Sequence, residues 1–261
     1  MRFHHRIVLD LLMPRALNHN DDMRSFIDII CRSPLLTPVK FDGCQPIRKI
    51  FDPHDFDAIQ DVAKFGLFIW IANQRNISCS LNLRHGLGGK TSSMNVLVEP
   101  GADVEPSDLC RVFRDVAMQF GAIFGYIHIV VPQEVERARL SGTVILLPGQ
   151  EQEPYLAIGR KHLKHFVPDL YWATIFGPQY VELFGRDRVA SCNAFVVDEI
   201  ACDVFYLQSS EEIIDVSEKW ALVAAERQRL KEHLGSDVVF AADLGQSNTY
   251  RVPALPWKER L

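Results

Sequence analysis

The first half of the chain contains several segments whose hydrophobic pattern predicts β-strands. Residues 78–83 alternate between apolar and polar side chains, residues 94–98 do the same, and a glycine-rich connection between them favours a hairpin. The apolar run at residues 65–72 predicts a strand that is buried on both faces. Residues 7–13 are mostly apolar and predict a first strand.

Apolar residues at helical spacing predict three amphipathic helices. The first follows a polar capping segment at residues 20–22, and the second spans residues 106–121 between an initial proline and a final glycine. The longest spans residues 209–234, because a serine and a glutamate at its start match a capping box and an apolar seam follows them. Arg227 is the one polar residue within that seam.

The order of these elements predicts an α+β protein with an antiparallel or mixed sheet that is backed by helices. Strand, strand, helix and strand follow one another at residues 78–131 and again at residues 189–242, which predicts two ββαβ lobes. Residues 148–154 form the most linker-like segment, with two prolines and a glycine. We therefore predict one α+β domain over residues 1–261, with a lobe boundary near residues 148–154.

Composition and charge narrow the class of protein. The 261 residues are 48% hydrophobic and 23% charged, which is typical of a globular protein and excludes a disordered or fibrous chain. The net charge of −5 argues against a dedicated nucleic-acid-binding protein, and no apolar run reaches the ~20 residues of a membrane-spanning helix. The six cysteines include no CxxC pair, and the N-terminus lacks the pattern of a cleaved signal peptide, so we expect free thiols in the cytoplasm.

Two motifs resemble ligand sites but are interpreted as structural. The string at residues 86–91 ends like a phosphate-binding P-loop, but Arg84 stands where that loop needs glycine, and a strand follows instead of a helix. His162 and His165 have the spacing of a helical metal-binding pair, but lysines lie beside them and no carboxylate lies at ligand spacing. We therefore predict a hairpin loop and a solvated basic patch, with neither a metal ion nor a cofactor.

Residues 166–185 are dense in aromatic side chains. Gly177-Pro178 divides this segment into two predicted short helices, and most of its rings are expected to pack in the core. Because Tyr and Trp are also enriched at protein interfaces, Tyr171 and Trp172 are candidates for contact with a partner.

The segment contains a pattern of aromatic, glycine and proline residues, together with one aspartate: Asp169, Tyr171, Trp172, Phe176, Gly177, Pro178, Tyr180, Val181 and Gly185. This pattern resembles the C-terminal part of bacterial immunity proteins, which are small cytoplasmic antidotes encoded beside polymorphic or type VI secreted toxins. The resemblance implies a binding protein that neutralises a cognate toxin by occlusion. Because such families have no catalytic residues, the resemblance implies none in this chain.

We expect the partner to bind an acidic surface that is formed by two C-terminal strands and the start of the following helix. Opposite charge speeds association and selects partners, although acidic residues at a helix start also suit the helix dipole. The predicted partner-binding residues are six acidic and two aromatic side chains: Asp198, Glu199, Asp203, Glu211, Glu212, Asp215, Tyr171 and Trp172.

Two other functional classes stay open on the sequence. An enzyme of an unrecognised class would use Cys192 as a nucleophile or the Asp198/Asp203 pair for acid–base chemistry, although no GxSxG elbow or paired histidine marks such a site. A structural or assembly subunit would associate through the aromatic segment instead.

Overall fold

The chain divides into two compact units. The N-terminal unit comprises Met1–His4 and Leu9–Ala122, and the C-terminal unit comprises His5–Val8 and Ile123–Leu261. The lobe boundary predicted near residues 148–154 lies outside the described residues. The computed structural model describes residues 4–17, 19–73, 76–85, 91–145, 155–242 and 249–256.

The N-terminal unit combines an antiparallel sheet with helices. Its strands follow the order β1-β6-β5-β4-β2-β3, with β1 contributing from Leu9 onward. Antiparallel pairing joins β5 to β6, which confirms the predicted hairpin, and also joins β4 to β5 and β2 to both β4 and β3. The elements are β1 (Ile7–Met13), α1 (Asn20–Cys31), β2 (Pro38–Asp42), β3 (Lys49–Ile50), α2 (Phe56–Ala63), β4 (Leu67–Ala72), β5 (Ile77–His85), β6 (Thr91–Val98) and α3 (Pro106–Phe120).

Strand β4 is buried on one face only, so the prediction of a strand buried on both faces is wrong. Phe68 and Trp70 are fully buried, and Phe26 of α1 packs edge-on against Trp70 with ring centroids 5.8 Å apart. Ile71, on the opposite face, is 39% exposed. Because α1 packs against the Trp70 face, the residues of β4 alternate between buried and partly exposed.

The two predicted helices of this unit are confirmed, with a change at the first cap. Helix α1 begins at Asn20, so the polar residues predicted as its cap form its first turn, and His19 is the N-cap residue. Helix α3 begins at Pro106 as predicted. It ends at Gly121, whose φ of 69° lies in the left-handed region that glycine adopts without strain.

The C-terminal unit contains a second set of antiparallel strands, in the order β11-β12-β10-β7. A separate two-stranded sheet pairs β8 with β9. The elements are β7 (Phe124–Ile129), α4 (Pro132–Ser141), β8 (Val144–Ile145), β9 (Tyr155–Leu156), α5 (Arg160–Leu163), β10 (Ala173–Phe176), α6 (Pro178–Phe184), α7 (Arg186–Ala190), β11 (Val196–Ala201), β12 (Val204–Gln208), α8 (Asp215–Glu218) and α9 (Trp220–Leu234).

The first half of the aromatic segment ends in a strand, so the first of its two predicted helices is wrong. Strand β10 is fully buried and pairs with β7 on one side and β12 on the other. The second half forms α6, which begins at Pro178 as predicted. The rings of Phe176 and Tyr180 are 5.6 Å apart, so the aromatic residues pack in the core as expected.

Two further boundaries in this unit differ from prediction. Helix α7 occupies the start of the strand predicted at residues 189–198, so β11 begins only at Val196. The long helix predicted from residue 209 begins at Trp220, after the short α8. The Ser209 hydroxyl donates to the Trp172 carbonyl oxygen at 3.2 Å, so it does not cap a helix.

The α+β fold class, with an antiparallel sheet backed by helices, is confirmed. The predicted ββαβ lobes do not correspond to the compact units, since β7, the last strand of the first copy, belongs to the C-terminal unit. In the second copy, residues 238–242 contribute only the isolated bridge between Val167 and Val239. Within the described ranges, no helix has both the length and the apolar character needed to cross a membrane.

Asp10 lies between buried residues on strand β1, and burial of its carboxyl group raises its pKa to about 8. An unfolded chain ionises this group near pH 4, so the folded protein loses stability as the pH rises from about 4 to about 8. We expect Asp10→Asn to remove this loss and to raise the free energy of unfolding at pH 8 by at least about 1.4 kcal/mol, the energy of one pKa unit. Urea unfolding of both proteins across this range measures the effect, and a difference that does not grow with pH would contradict it.

Candidate functional site

The hairpin of β11 and β12 carries three of the acidic residues predicted to bind a partner. Strand β11 stands at the end of the strand order, and all six of its residues are partly exposed. Asp198 and Glu199 are consecutive on β11, so their side chains point to opposite faces of the sheet. Asp203 lies in the turn, with a φ of 56°. We call residues 196–208 the acidic hairpin.

One arginine offsets part of the charge on this hairpin. The Arg186 guanidinium, at the start of α7, forms an ion pair with Glu199 and lies 3.7 Å from Oδ1 of Asp203. Glu199 Oε1 also accepts the backbone N–H of Asp203 at 3.1 Å. These contacts fix the turn of the hairpin against α7, and two carboxylates share one guanidinium.

The acidic residues after β12 divide into two groups. Glu211 and Glu212 are exposed, and they follow the end of β12 that pairs with the beginning of β11. Asp215 is buried at the start of α8, where Lys219 Nζ lies 2.8 Å from its carboxylate. Asp215 is therefore withdrawn from the surface on which we predicted it.

Tyr171 and Trp172, the two aromatic residues predicted to contact a partner, belong to the core. They are 5% and 2% exposed, respectively. The Tyr171 ring lies 4.5 Å from that of Tyr126, and the Trp172 indole N–H donates to the Ser210 carbonyl oxygen at 3.0 Å. The structure therefore gives these two side chains packing roles and does not expose them to a partner.

The Trp172 backbone contacts a buried ionic network that the sequence analysis did not predict. Its N–H donates to His128 Nδ1 at 3.1 Å, so that nitrogen carries no proton and His128 Nε2 donates to Glu134 at 2.8 Å. The other carboxylate oxygen of Glu134 accepts from Arg227 of α9. His128 and Arg227 are 0% and 2% exposed, respectively, so these contacts are buried away from water.

Asp169 forms the second half of the network. Its Oδ1 contacts Lys231 Nζ at 2.6 Å and accepts the Leu170 N–H at 2.7 Å. Its Oδ2 lies 3.1 Å from Arg227 and 3.0 Å from Arg137. We call the six side chains that connect β7, α4 and α9 through these contacts the ionic network: His128, Glu134, Arg137, Asp169, Arg227 and Lys231.

Charges and hydrogen bonds within the ionic network hold both acids in their ionised form. Burial would raise the pKa of Glu134, but His128 and Arg227 outweigh it and lower that pKa to about 2. Burial opposes ionisation of Asp169 as well, yet Arg227, Lys231 and Arg137 lower the pKa of that carboxyl group. Both carboxylates therefore remain charged at neutral pH and compensate the buried cations.

The ionic network has the composition of an active site but not its accessibility. The cavity lined by Glu134, Arg137, Asp169 and Tyr171 measures about 20 Å³, which is room for a single water molecule. Both ring nitrogens of His128 and all four carboxylate oxygens of Glu134 and Asp169 already have partners. In this arrangement the network joins elements of the C-terminal unit and offers no free base to a substrate.

Cys192 does not have the properties of a nucleophile. It is buried, and burial raises the pKa of its thiol to about 11, so the thiolate is a minor species at neutral pH. Its Sγ lies 3.6 Å from the Arg188 carbonyl oxygen, to which the thiol donates. This environment argues against the enzyme hypothesis that depends on Cys192.

The two remaining motifs are the glycine-rich string and the histidine pair, and the described residues contain only part of the first. Residues 86–90 of the glycine-rich string lie outside the described residues, and the following Thr91 begins β6, as the predicted strand requires. Where the chain is described, no group of three or more His, Cys, Asp or Glu side chains could hold a metal ion. His165 is exposed, as expected for a basic patch, but His162 is buried.

Comparison of the sequence with known proteins does not identify a family for this chain. No protein-family model and no curated protein matches the sequence. The resemblance of residues 167–185 to immunity proteins therefore stays an expectation.

Proposed function

We propose that the protein is an immunity-type binding protein that neutralises a cognate bacterial toxin by covering it, without catalysis. The observation that carries this proposal is the acidic hairpin at the end of the strand order in the C-terminal unit. Residues 196–212 include five carboxylates and no lysine, arginine or histidine. Arg186 offsets part of this charge, and the excess of negative charge that remains attracts a partner of the opposite sign and raises the rate of encounter.

The acidic hairpin also presents the main-chain N–H and C=O groups of an edge strand, β11. Strand β11 is part-exposed along its whole length, and Phe195 immediately before it is 55% exposed. A partner that docks here meets an apolar ring, a strand edge and flanking carboxylates, which together form the mixed surface that is typical of protein interfaces. A basic toxin surface is the complement of this arrangement.

The proposal is tested by mixing the purified protein with the product of the neighbouring reading frame and measuring association by surface plasmon resonance. We expect Glu211→Lys with Glu212→Lys to slow association at low salt by about tenfold or more, because the rate depends on charge. The triple reversal at Asp198, Glu199 and Asp203 is expected to act in the same direction, with circular dichroism checking that the hairpin still folds.

A matched control places the same charge change elsewhere. Asp57→Lys with Asp61→Lys alters two exposed acids of α2 in the N-terminal unit and is expected to leave association unchanged. Unaltered on-rate and affinity both in the Glu211/Glu212 variant and in the triple variant of the hairpin would exclude this surface. Equal slowing of association by the control would show that the effect depends only on the net charge of the protein. If the wild-type protein does not bind the product of the neighbouring reading frame, that product is not the partner.

A further inference from the structure

A hollow of about 330 Å³ opens on the C-terminal unit, beside the end of α4 and the start of the segment that follows α5. Its volume falls within the range of small-molecule sites, roughly 300–1,000 Å³. Among the described residues, its lining is formed by Ser141, Gly142, Lys161, His162, His165 and Phe166.

The polar lining of this hollow is basic. Lys161 and His165 are exposed, and neither forms an ion pair with any residue whose position is described. The stretch from Tyr155 to Pro168 contains no aspartate or glutamate. A negatively charged ligand would therefore find two donors here and would meet no carboxylate among the described lining residues.

His162 gives the hollow a fixed wall. Its Nδ1 accepts the Gly159 N–H at 3.1 Å, so Nε2 carries the proton and donates to the Gly142 carbonyl oxygen at 3.0 Å. Burial and the nearby charges of Lys161 and His165 lower the pKa of His162, which keeps the ring neutral at physiological pH. His162 thus joins α5 to the end of α4 and leaves Lys161 and His165 as the groups that meet a ligand.

Phe166 supplies the apolar part of the lining. It is 3% exposed, so only a small part of the residue faces the hollow, and its ring is held by Phe240 at a centroid distance of 5.0 Å and by Tyr250 at 5.4 Å. This small apolar surface lies beside the two donors, and such a combination suits a ligand with an anionic head and a compact apolar body.

We propose that this hollow binds a small phosphate monoester, with its phosphate between Lys161 and His165 and its organic part against Phe166. A phosphate offers several acceptor oxygens to the lysine ammonium and the imidazole N–H, and lysine binds phosphate as a point charge. The proposal uses residues other than those of the acidic hairpin and does not depend on toxin binding.

The test titrates the full-length ¹⁵N-labelled protein with phenyl phosphate and, separately, with inorganic phosphate at constant ionic strength. We expect saturable shifts in the amide signals around His165 and Phe166, and tighter binding of phenyl phosphate because of the apolar wall. Lys161→Gln and His165→Gln are each expected to weaken phenyl phosphate by about tenfold, equivalent to about 1.4 kcal/mol.

Lys164→Gln is the matched control, because it removes one positive charge from the same segment but does not line the hollow. It is expected to change the affinity by less than about twofold, because Lys164 makes no direct contact with a ligand in the hollow and its charge acts through solvent. Equal weakening by Lys164→Gln, or linear shifts without saturation, would overturn the proposal. Equally tight binding of phenylacetate would overturn the assignment of a phosphate.

Discussion

Replacing Arg227 with methionine is expected to lower the free energy of unfolding by about 3–5 kcal/mol, the usual effect of removing one partner from a buried ion pair. Arg227 contacts both Glu134 and Asp169 and is 2% exposed. Methionine retains a long apolar side chain but leaves Glu134 with His128 as its one remaining contact in the ionic network. The loss comes mostly from leaving a buried charge without compensation.

Urea unfolding at pH 7 measures this effect, and the same helix offers a control. Arg229 is mostly exposed and pairs with Glu226, so Arg229→Met is expected to cost less than about 1 kcal/mol. If Arg227→Met does not fold, Arg227→Lys retains the charge without the planar fork and is expected to fall between the two. Equal stability of Arg227→Met and Arg229→Met would show that the network contributes little.

Restoring neutrality provides an independent check on that explanation. In the Arg227→Met background, Glu134→Gln removes the charge that the arginine compensated and is expected to recover part of the lost stability. The same Glu134→Gln change in the wild-type protein is expected to destabilise it, since it leaves Arg227 with one carboxylate fewer. This opposite sign in the two backgrounds is the signature of coupling between the two side chains.

Local periodicity explains why much of the fold was predictable. The alternation at residues 78–83 and 94–98 specifies β5 and β6, because a strand with one buried face needs that period. Helix α3 was equally clear, since Pro106 and Gly121 mark its ends and the apolar spacing is helical.

The errors arise where distant contacts override local pattern. Strand β10 has only four residues, so its periodicity does not distinguish strand from helix, and its partners β7 and β12 lie far along the chain. Ser209 fits a capping box by spacing, but its hydroxyl bonds to Trp172, 37 residues away. Such competition between local and tertiary hydrogen bonds is invisible in the sequence.

The ionic network was also only partly predictable, because local pattern marks one of its members and distant contacts supply the others. Arg227 stood out in the sequence as a polar residue within an apolar seam, and that was a usable signal for a buried ion pair. Its partner Glu134 is 93 residues away, and nothing in the local pattern of either helix identifies the other. The acidic residues were likewise visible in sequence, whereas the burial of Asp215 against Lys219 depends on the fold.

Acidification is expected to weaken the protein more steeply than exposed carboxylates alone would. The folded-state pKa of Glu134 is lowered to about 2 and that of Asp169 is lowered as well, so unfolding takes up protons at both sites. Their contribution to stability is present above about pH 5, where both groups are ionised in either state, and is lost as the pH falls towards about 2. Each group adds up to about 1.4 kcal/mol per pH unit within that window.

The slope of stability against pH separates this mechanism from general charge repulsion in acid. Glu134→Gln removes one titrating group, so its urea-unfolding free energy is expected to fall less steeply from about pH 5 to about pH 3 than that of the wild-type protein, although its value at pH 7 is lower. Glu226→Gln, on the same helix as Arg227 but partly exposed, keeps the network and is expected to retain the wild-type slope. Identical slopes in all three proteins would mean that Glu134 titrates normally in the folded state, and the arginine and histidine contacts would then not stabilise its charge.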